Sequence, residues 1–271
     1  MNVTLTCSTW NFKALGGRYA SAARVVEDIR SLGLSPELWL NWDPQPDCYD
    51  RPYWQDLRKL VGPSPAVSFH TRNDRQRMLE EIELLAFLGG RTLVVHPVVL
   101  SLPEFRQERP AEHPDLPFIR ELAAAARERG VLLALENIHA RAFLDRTLEA
   151  VDTFDDRGGL GICIDIGHAE MASAGSADSP PARPRESAVS LIRDYGPVLL
   201  HLHVHDVRDG RDHQPLGTGW IDYASVAAAL REVNFHGTAA LEIQSEDPPA
   251  TAKASLEYLG PYFGADLRTG R

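Results

Sequence analysis

Eight short β-rich runs alternate with segments of helical periodicity along the whole chain, and this alternation constrains the fold more than any other feature. The predicted strands lie at 3–9, 37–41, 66–70, 92–96, 131–136, 160–165, 198–205 and 238–243. Glycines such as Gly33 and Gly130 stand where a helix would end before the next strand. Eight strand–helix units predict an α/β fold, a (β/α)8 TIM barrel, with residues 1–271 as a single domain.

Three longer loops interrupt this rhythm, at 42–52, 97–115 and 176–187. Each follows a predicted strand, so each is expected on the face of the barrel where the strands end. Their length and proline content favour either an unusual substrate or contact with another subunit of a homo-oligomer. A doubly wound sheet is a poorer fit, because no glycine-rich phosphate loop follows the first strand.

Charge and composition exclude several classes of protein. The chain has 28 Lys and Arg against 38 Asp and Glu, a net charge of −10, and no basic cluster of the kind that nucleic-acid binding requires. No apolar run approaches the length of a membrane-spanning helix, and the first residues do not resemble a signal peptide. We therefore predict a cytoplasmic protein with no nucleic-acid or membrane partner. Cys7 and Cys163 lie in apolar strands and are predicted to be core residues.

Imidazole and carboxylate side chains end or closely follow the predicted strands 3 to 8. They are His70, His96, Glu136, Asp165, His168, His201, His203, His205, His213 and Glu242. The carboxyl ends of barrel strands meet at one mouth, where such enzymes place their active sites. Carboxylates brought together there repel each other unless a cation neutralises them. Mixed imidazole and carboxylate ligands predict one divalent metal ion: Mn²⁺, Co²⁺, Mg²⁺ or Zn²⁺.

The segments LENI, CIDIGH, HVHDV, HQPLGTGWIDY and LEI resemble, in order and spacing, the xylose isomerase-like TIM barrel superfamily. That superfamily includes sugar-phosphate isomerases and epimerases and, more distantly, endonuclease IV. The resemblance implies that the metal ligands are Glu136, Asp165, His203 and Glu242. It also implies that His168 contacts substrate.

Strand periodicity allows His201, His203 and His205 to share one face of strand 7. The family motif selects His203 as the ligand. His201 is then expected one layer deeper, as a packed residue. His205 is expected at the rim, where it either contacts substrate or is solvated.

The resemblance implies a sugar, sugar-phosphate or keto-polyol isomerase or epimerase that acts through an enediolate. Glu136 and Glu242 are predicted to serve as the acid and base, with His168 orienting an oxygen of the substrate. The residues predicted to contact the carbohydrate or polyol are His70, His96, His168, His205, Arg208, Arg211, His213 and Trp10. Arg208 and Arg211 have an equally good interpretation as solvated loop charges. Trp39 is predicted to be a core residue.

Two other activities remain open at this stage. A metal-dependent dehydratase or lyase needs the same enolisation, followed by loss of hydroxide. An endonuclease IV-like zinc phosphodiesterase binds three zincs and takes extra ligands from histidines at the places of His70, His96, His168 and His213, and from an aspartate two residues before the last of these. Arg211 occupies that position, and Asp212 is out of register. One tightly held ion is therefore expected.

Overall fold

The structure is a computed structural model, and it describes residues 1–13, 15, 21–39, 51–62, 64, 66–71, 74–103, 113–138, 144–145, 148, 159–174, 187–264 and 267–269. The strands in chain order are β1 (Asn2–Ser8), β2 (Ser35–Leu38), β3 (Ser68–His70), β4 (Thr92–Val95), β5 (Leu132–Glu136), β6 (Leu160–Asp165), β7 (Leu199–Val204), β8 (Asp206–Arg208), β9 (Arg211–Gln214), β10 (His236–Leu241) and β11 (Leu267–Thr269). The helices of the described ranges are α1 (Trp10–Lys13), α2 (Ala22–Ser31), α3 (Arg51–Val61), α4 (Met78–Leu88), α5 (Leu116–Glu128), α6 (Ile166–Ala174), α7 (Ala188–Tyr195), α8 (Tyr223–Glu232) and α9 (Pro248–Phe263).

Eight parallel strands close into a barrel, which confirms the predicted fold. β1 to β7 are paired in sequence order, and β10 pairs with both β7 and β1 to complete the ring. β11 adds to the first half of β1, and β8 with β9 forms a separate antiparallel hairpin. Among the helices of the described ranges, none is both long and apolar enough to cross a membrane.

Short polar side chains begin several of the surrounding helices. Ser21 accepts a hydrogen bond from the N–H of Arg24 at the start of α2. Asp222 accepts from the N–H groups of Ala224 and Ser225 at the start of α8. Each cap satisfies backbone donors that the first helical turn leaves free. The apolar faces of these helices then pack on the outside of the barrel, where Val26 and Leu230 are buried.

Most of the predicted strands agree with the observed ones to within two residues, and β2 is the informative exception. The apolar letters of ELWLN predict a strand over 37–41, whereas the observed strand runs over Ser35–Leu38. Pro36 argues against an earlier start, because proline cannot donate a ladder hydrogen bond. The structure nevertheless pairs Pro36 with Cys7. Glu37 is thus a residue of β2, and its side chain is buried. Trp39 comes directly after the end of this strand.

An irregularity in the pairing of β6 with β7 sets the register of the site. Ile162 is opposite Leu199, but Cys163 is opposite His201, so one extra residue of β7 is accommodated here. Without this extra residue, Asp165 would lie opposite Leu202. With it, Asp165 lies opposite His203. Gly161 permits the close approach, since a Cβ there would lie 2.3 Å from the carbonyl oxygen of Val198.

Cys7 and Cys163 are buried, as predicted for core residues. Most of the three long loops, at 40–50, 104–112 and 175–186, lies outside the described residues. Their predicted role in substrate choice or subunit contact therefore stays a prediction.

Candidate metal centre

At the carboxyl end of the barrel, the three predicted carboxylate ligands surround one nitrogen of the fourth predicted ligand, His203. Nδ1 of His203 lies 3.3 Å from Glu242 Oε2, 3.6 Å from Glu136 Oε1 and 3.8 Å from Asp165 Oδ2. Glu136 and Asp165 are the last residues of β5 and β6, and Glu242 follows β10 directly. All four side chains are buried. Strands that are neighbours in the barrel thus bring three carboxylates to one imidazole.

The two glutamates of this group differ sharply in acidity. Burial alone would raise the pKa of Glu136, but the charge of His203 and contacts with His168 and other histidines hold that pKa well below its usual value. Burial raises the pKa of Glu242 to about 7, against the opposing effect of the His203 charge. At neutral pH the metal-free site therefore holds one ionised glutamate and one that is shared between its protonated and ionised forms.

Several polar atoms in this group fit a cation better than they fit one another. His203 Nδ1, His168 Nδ1 and Glu242 Oε1 are buried and make no hydrogen bond of good geometry with the described residues. Buried polar atoms without partners are rare in folded proteins and need an explanation. A set of one imidazole and three carboxylates suits Mn²⁺, Co²⁺, Mg²⁺ or Zn²⁺. The residues present therefore fit a divalent cation.

His168 lies beside this group at the start of α6. Its backbone N–H donates to Asp165 Oδ1 at 2.7 Å, so Asp165 also caps the helix. The ring Nδ1 is 3.3 Å from Glu136 Oε1 and 3.4 Å from Asp165 Oδ2. Burial opposes the charged ring, but Asp165 and then Glu136 raise the pKa of His168 to about 9. The partly exposed ring is therefore protonated at neutral pH and carries N–H donors at the barrel mouth.

His70 and His96 form a wall on the other side of Glu136. Their Nε2 atoms lie 3.3 and 3.0 Å from Glu136 Oε2. Trp39 stacks on His70 with ring centroids 4.3 Å apart, which corrects its interpretation as a core residue. Because the strand ends at Leu38, this tryptophan is carried to the mouth of the barrel. The ring of Trp10 stacks on that of Trp39, with centroids 6.2 Å apart, and extends the aromatic surface.

The expectation that His205 lies at the rim is wrong. Its side chain is buried, and Nε2 contacts Asp165 Oδ1 at 2.9 Å. The reason is the β8–β9 hairpin, which folds back over β7: the N–H of His213 donates to His205 Nδ1 at 2.8 Å, and the two rings stack. His205 Nδ1 also lies 3.2 Å from the carbonyl oxygen of Asp206. The buried ring of His205 thus contacts Asp165, one of the proposed ligands, and is not exposed at the barrel mouth.

The same hairpin brings Asp212 to the site. From the sequence, Asp212 is expected out of register, because Arg211 stands two residues before His213. The Oδ2 of Asp212 lies 3.5 Å from His168 Nε2 and 3.9 Å from His213 Nε2. Strict strand alternation fails here because Asp209 and His213 both adopt positive φ, at 54° and 51°. His213 also contacts Trp10, with ring centroids 4.6 Å apart.

Arg208 and Arg211 of the hairpin are exposed. Nε of Arg208 lies 3.9 Å from Oδ2 of Asp209. Both interpretations, solvated loop charges and contact with substrate, stay predictions.

Asp206 anchors the loop that follows the hairpin. Its Oδ1 accepts from the N–H groups of Val207 and Ile221, and its Oδ2 from those of Gly217 and Gly219. A Cβ at position 219 would lie 2.2 Å from Asp206 Oδ1, so glycine is required there. The LGTGWID segment is thus folded around one buried carboxylate.

We expect Asp206→Asn to lower the free energy of unfolding by roughly 3 kcal/mol, because an amide NH₂ would face two backbone donors that now bind a charged oxygen. Urea denaturation followed by circular dichroism measures this. Asp209→Asn, on the exposed tip of the same hairpin, is the control and should change stability by less than about 0.5 kcal/mol. Equal stability of the two variants would contradict the assigned role of Asp206.

Sequence reasoning missed one carboxylate of the barrel interior. Glu37 is fully buried, and its Oε2 lies 2.9 Å from His201 Nε2, while Oε1 lies 3.4 Å from His203 Nε2. Burial opposes its ionisation, but the charge of His203 and contacts with His201 hold the pKa of Glu37 well below its usual value. His201 is a packed residue one layer deeper, as expected. A lone acidic residue within the apolar run around PELWL was the signal that could have identified Glu37.

Metal binding is expected to release a proton. Burial alone would lower the pKa of His203, but Cys163 and the surrounding carboxylates, Glu242 foremost, raise it well above its usual value. The metal-free ring therefore holds a proton at neutral pH, and this proton must leave before the ring can coordinate. Apparent metal affinity should rise with pH. Calorimetry in buffers of different ionisation enthalpy tests this, and an affinity that stays flat from about pH 6 to pH 8 would contradict it.

The comparisons with known proteins agree with the barrel fold. Residues 58–262 match the family model described as xylose isomerase-like TIM barrel, and the chain belongs to that family. It is 29% identical over 171 residues to D-psicose 3-epimerase of Enterocloster bolteae, a match that covers 61% of this chain and 51% of that protein. The match thus spans about half the length of this relative.

Two solved structures show the same fold at low sequence identity. D-allulose 3-epimerase from Methylomonas sp. in complex with D-allulose superposes with a TM-score of 0.70 at 16% identity, covering 96% of this chain and 97% of that one. The IOLI protein with a bound zinc atom superposes with a TM-score of 0.66 at 18% identity, covering 97% and 100%.

Proposed function

We propose that this protein is a divalent-metal-dependent epimerase that inverts a carbon next to the ketone of a small carbohydrate. The observation that carries the proposal is the pair of buried glutamates, each with an oxygen within 3.6 Å of His203 Nδ1. Glu136, Asp165, His203 and Glu242 would hold the cation. When bound, the cation polarises the carbonyl and stabilises the negative charge that develops on its oxygen.

The protein's own side chains supply the proton transfers. Glu136, whose pKa is the lower of the two in the metal-free protein, is assigned to remove the proton from the carbon next to the carbonyl. Glu242, whose pKa is the higher of the two in the metal-free protein, is assigned to return a proton. His168 donates to a substrate oxygen and keeps that oxygen oriented. The aromatic wall of Trp10 and Trp39 offers a surface to the C–H face of a sugar.

The names of the relatives guide the choice of test substrates. Each of D-psicose, D-fructose, L-ribulose and D-tagatose is incubated with protein loaded with Mn²⁺, Co²⁺, Mg²⁺ or Zn²⁺, and the products are separated by chromatography. We expect the 3-epimer of at least one ketose, and none from metal-stripped protein. A product lighter by one water would instead indicate a dehydratase, and the corresponding aldose would indicate an isomerase. Light scattering on the same sample tests the expected homo-oligomer.

A phosphodiesterase is the second candidate, and the position of Asp212 favours it. Asp212 and His213 face His168, while His70 and His96 face Glu136, so the site offers ligands for more than one ion. The net charge of −10 weighs against a DNA substrate. A metal-to-protein ratio near one, without cleavage of DNA that contains an abasic site, supports the epimerase. A ratio near three together with cleavage would replace it.

A further inference from the structure

A polar layer crosses the barrel directly below the proposed ligands. Ser68 Oγ donates to Glu37 Oε2 at 3.0 Å, and His201 Nε2 lies 2.9 Å from the same oxygen. The other nitrogen of His201, Nδ1, lies 2.6 Å from Thr238 Oγ1. These side chains come from β2, β3, β7 and β10, so the layer spans the barrel. The Ser68 hydrogen bond fixes one oxygen of Glu37. The other, Oε1, lies 3.4 Å from His203 Nε2, and neither of these two buried atoms makes a hydrogen bond of good geometry with the described residues.

A carboxylate in this position requires an explanation. Barrel interiors are normally filled with branched apolar side chains, and a buried carboxylate is strongly destabilising unless it is well paired. Glu37 is fully buried beneath the ligands, so a substrate in the barrel mouth does not reach it. It also approaches Nε2 of His203, whereas Glu242 approaches Nδ1. Glu37 therefore lies on the far side of this ring from the proposed cation.

We propose that Glu37 is a positioning residue for His203: its Oε1 accepts the proton of Nε2, so that Nδ1 carries the lone pair and faces the three ligand carboxylates. The proposal rests on the metal site of the proposed function. A carboxylate that accepts from the far nitrogen of a metal-binding imidazole fixes its tautomer and makes it a better donor to the metal. His201 and Ser68 support this by preventing Glu37 from rotating away. This assigns a function to a layer that the proton-transfer chemistry does not use.

The first test uses the wild-type protein loaded with ¹¹³Cd²⁺ and labelled with ¹⁵N at histidine. We expect ¹¹³Cd–¹⁵N coupling to Nδ1 of His203 and a protonated, uncoupled Nε2. Coupling to Nε2 would overturn the proposal, whatever happens to any variant.

The second test compares variants by calorimetric titration with Cd²⁺ and by thermal unfolding. Glu37→Leu removes the acceptor, and Cd²⁺ affinity should fall by roughly 10- to 100-fold. Glu37→Gln keeps an acceptor oxygen without the charge and should recover part of that loss, together with the Nδ1 coupling. Thr6→Val changes a buried polar residue of β1 whose hydroxyl donates to the carbonyl oxygen of Ala239. This control should leave the affinity within about twofold of wild type, since that hydrogen bond involves none of the proposed ligands.

The outcomes separate this proposal from the proposed function. Wild-type protein that binds no divalent metal would overturn both. Wild-type affinity in a folded Glu37→Leu variant would overturn the positioning role alone and leave the epimerase standing. If Glu37→Leu does not fold, the coupling pattern of the wild type and the affinity of Glu37→Gln decide the question.

Discussion

Asp165→Ala is expected to lose its divalent metal while the barrel remains folded. Asp165 supplies one of the three carboxylates near Nδ1 of His203, and it lies at the barrel mouth, where residues serve function more than stability. Its loss should weaken metal binding by more than about 100-fold, since even partners outside the coordination shell contribute 10- to 100-fold. Metal analysis after dialysis, alongside a thermal melt, measures both quantities.

Asp212→Ala is the matched control for this change. Asp212 also faces His168, but its side chain is 37% exposed and it is not among the four proposed ligands. This variant should retain one equivalent of metal. Unchanged metal content in Asp165→Ala would contradict the ligand assignment.

Glu136→Gln and Glu242→Gln are expected to keep the metal and lose turnover. Each substitution retains an oxygen that can coordinate but removes the group that exchanges a proton. The kcat should therefore fall by roughly 10²- to 10⁴-fold, the usual contribution of general acid–base catalysis. Steady-state kinetics on protein of known metal content gives this value.

His168→Ala serves as the contrasting variant. It should raise KM or slow turnover without removal of the metal, because His168 is not among the four proposed ligands. If both glutamine variants hold metal and turn over at nearly the wild-type rate, neither glutamate exchanges the proton.

The sequence predicts the barrel well because the spacing of apolar residues distinguishes its strands from its helices. The positions of Glu136 and Asp165 follow from the same pattern, since each is the polar residue that ends an apolar strand. His203 is different. Periodicity leaves the three histidines of the predicted strand 198–205 equivalent, and only the family motif selects one of them.

The residues that sequence analysis misplaced depend on backbone irregularities. The apolar letters at 37–41 placed the second strand too late, so Trp39 was assigned to the core, and Glu37 was not singled out as an interior residue. Positive φ at His213 broke the alternation that kept Asp212 away from the site. The hairpin that buries His205 is likewise invisible to a rule that extends a strand in a straight line. Local departures from regular geometry, rather than burial pattern, decide these positions.

Solvent deuterium exchange tests the central claim most directly. Metal-loaded protein is incubated in D₂O with each ketose of the panel, and the carbon next to the carbonyl is followed by ¹H NMR. The account predicts loss of that proton signal with at least one ketose, dependent on the metal and reduced by roughly 10²-fold or more in Glu136→Gln. Exchange that persists unchanged in metal-stripped protein or in Glu136→Gln would contradict the account, as would the absence of exchange with every ketose and every metal.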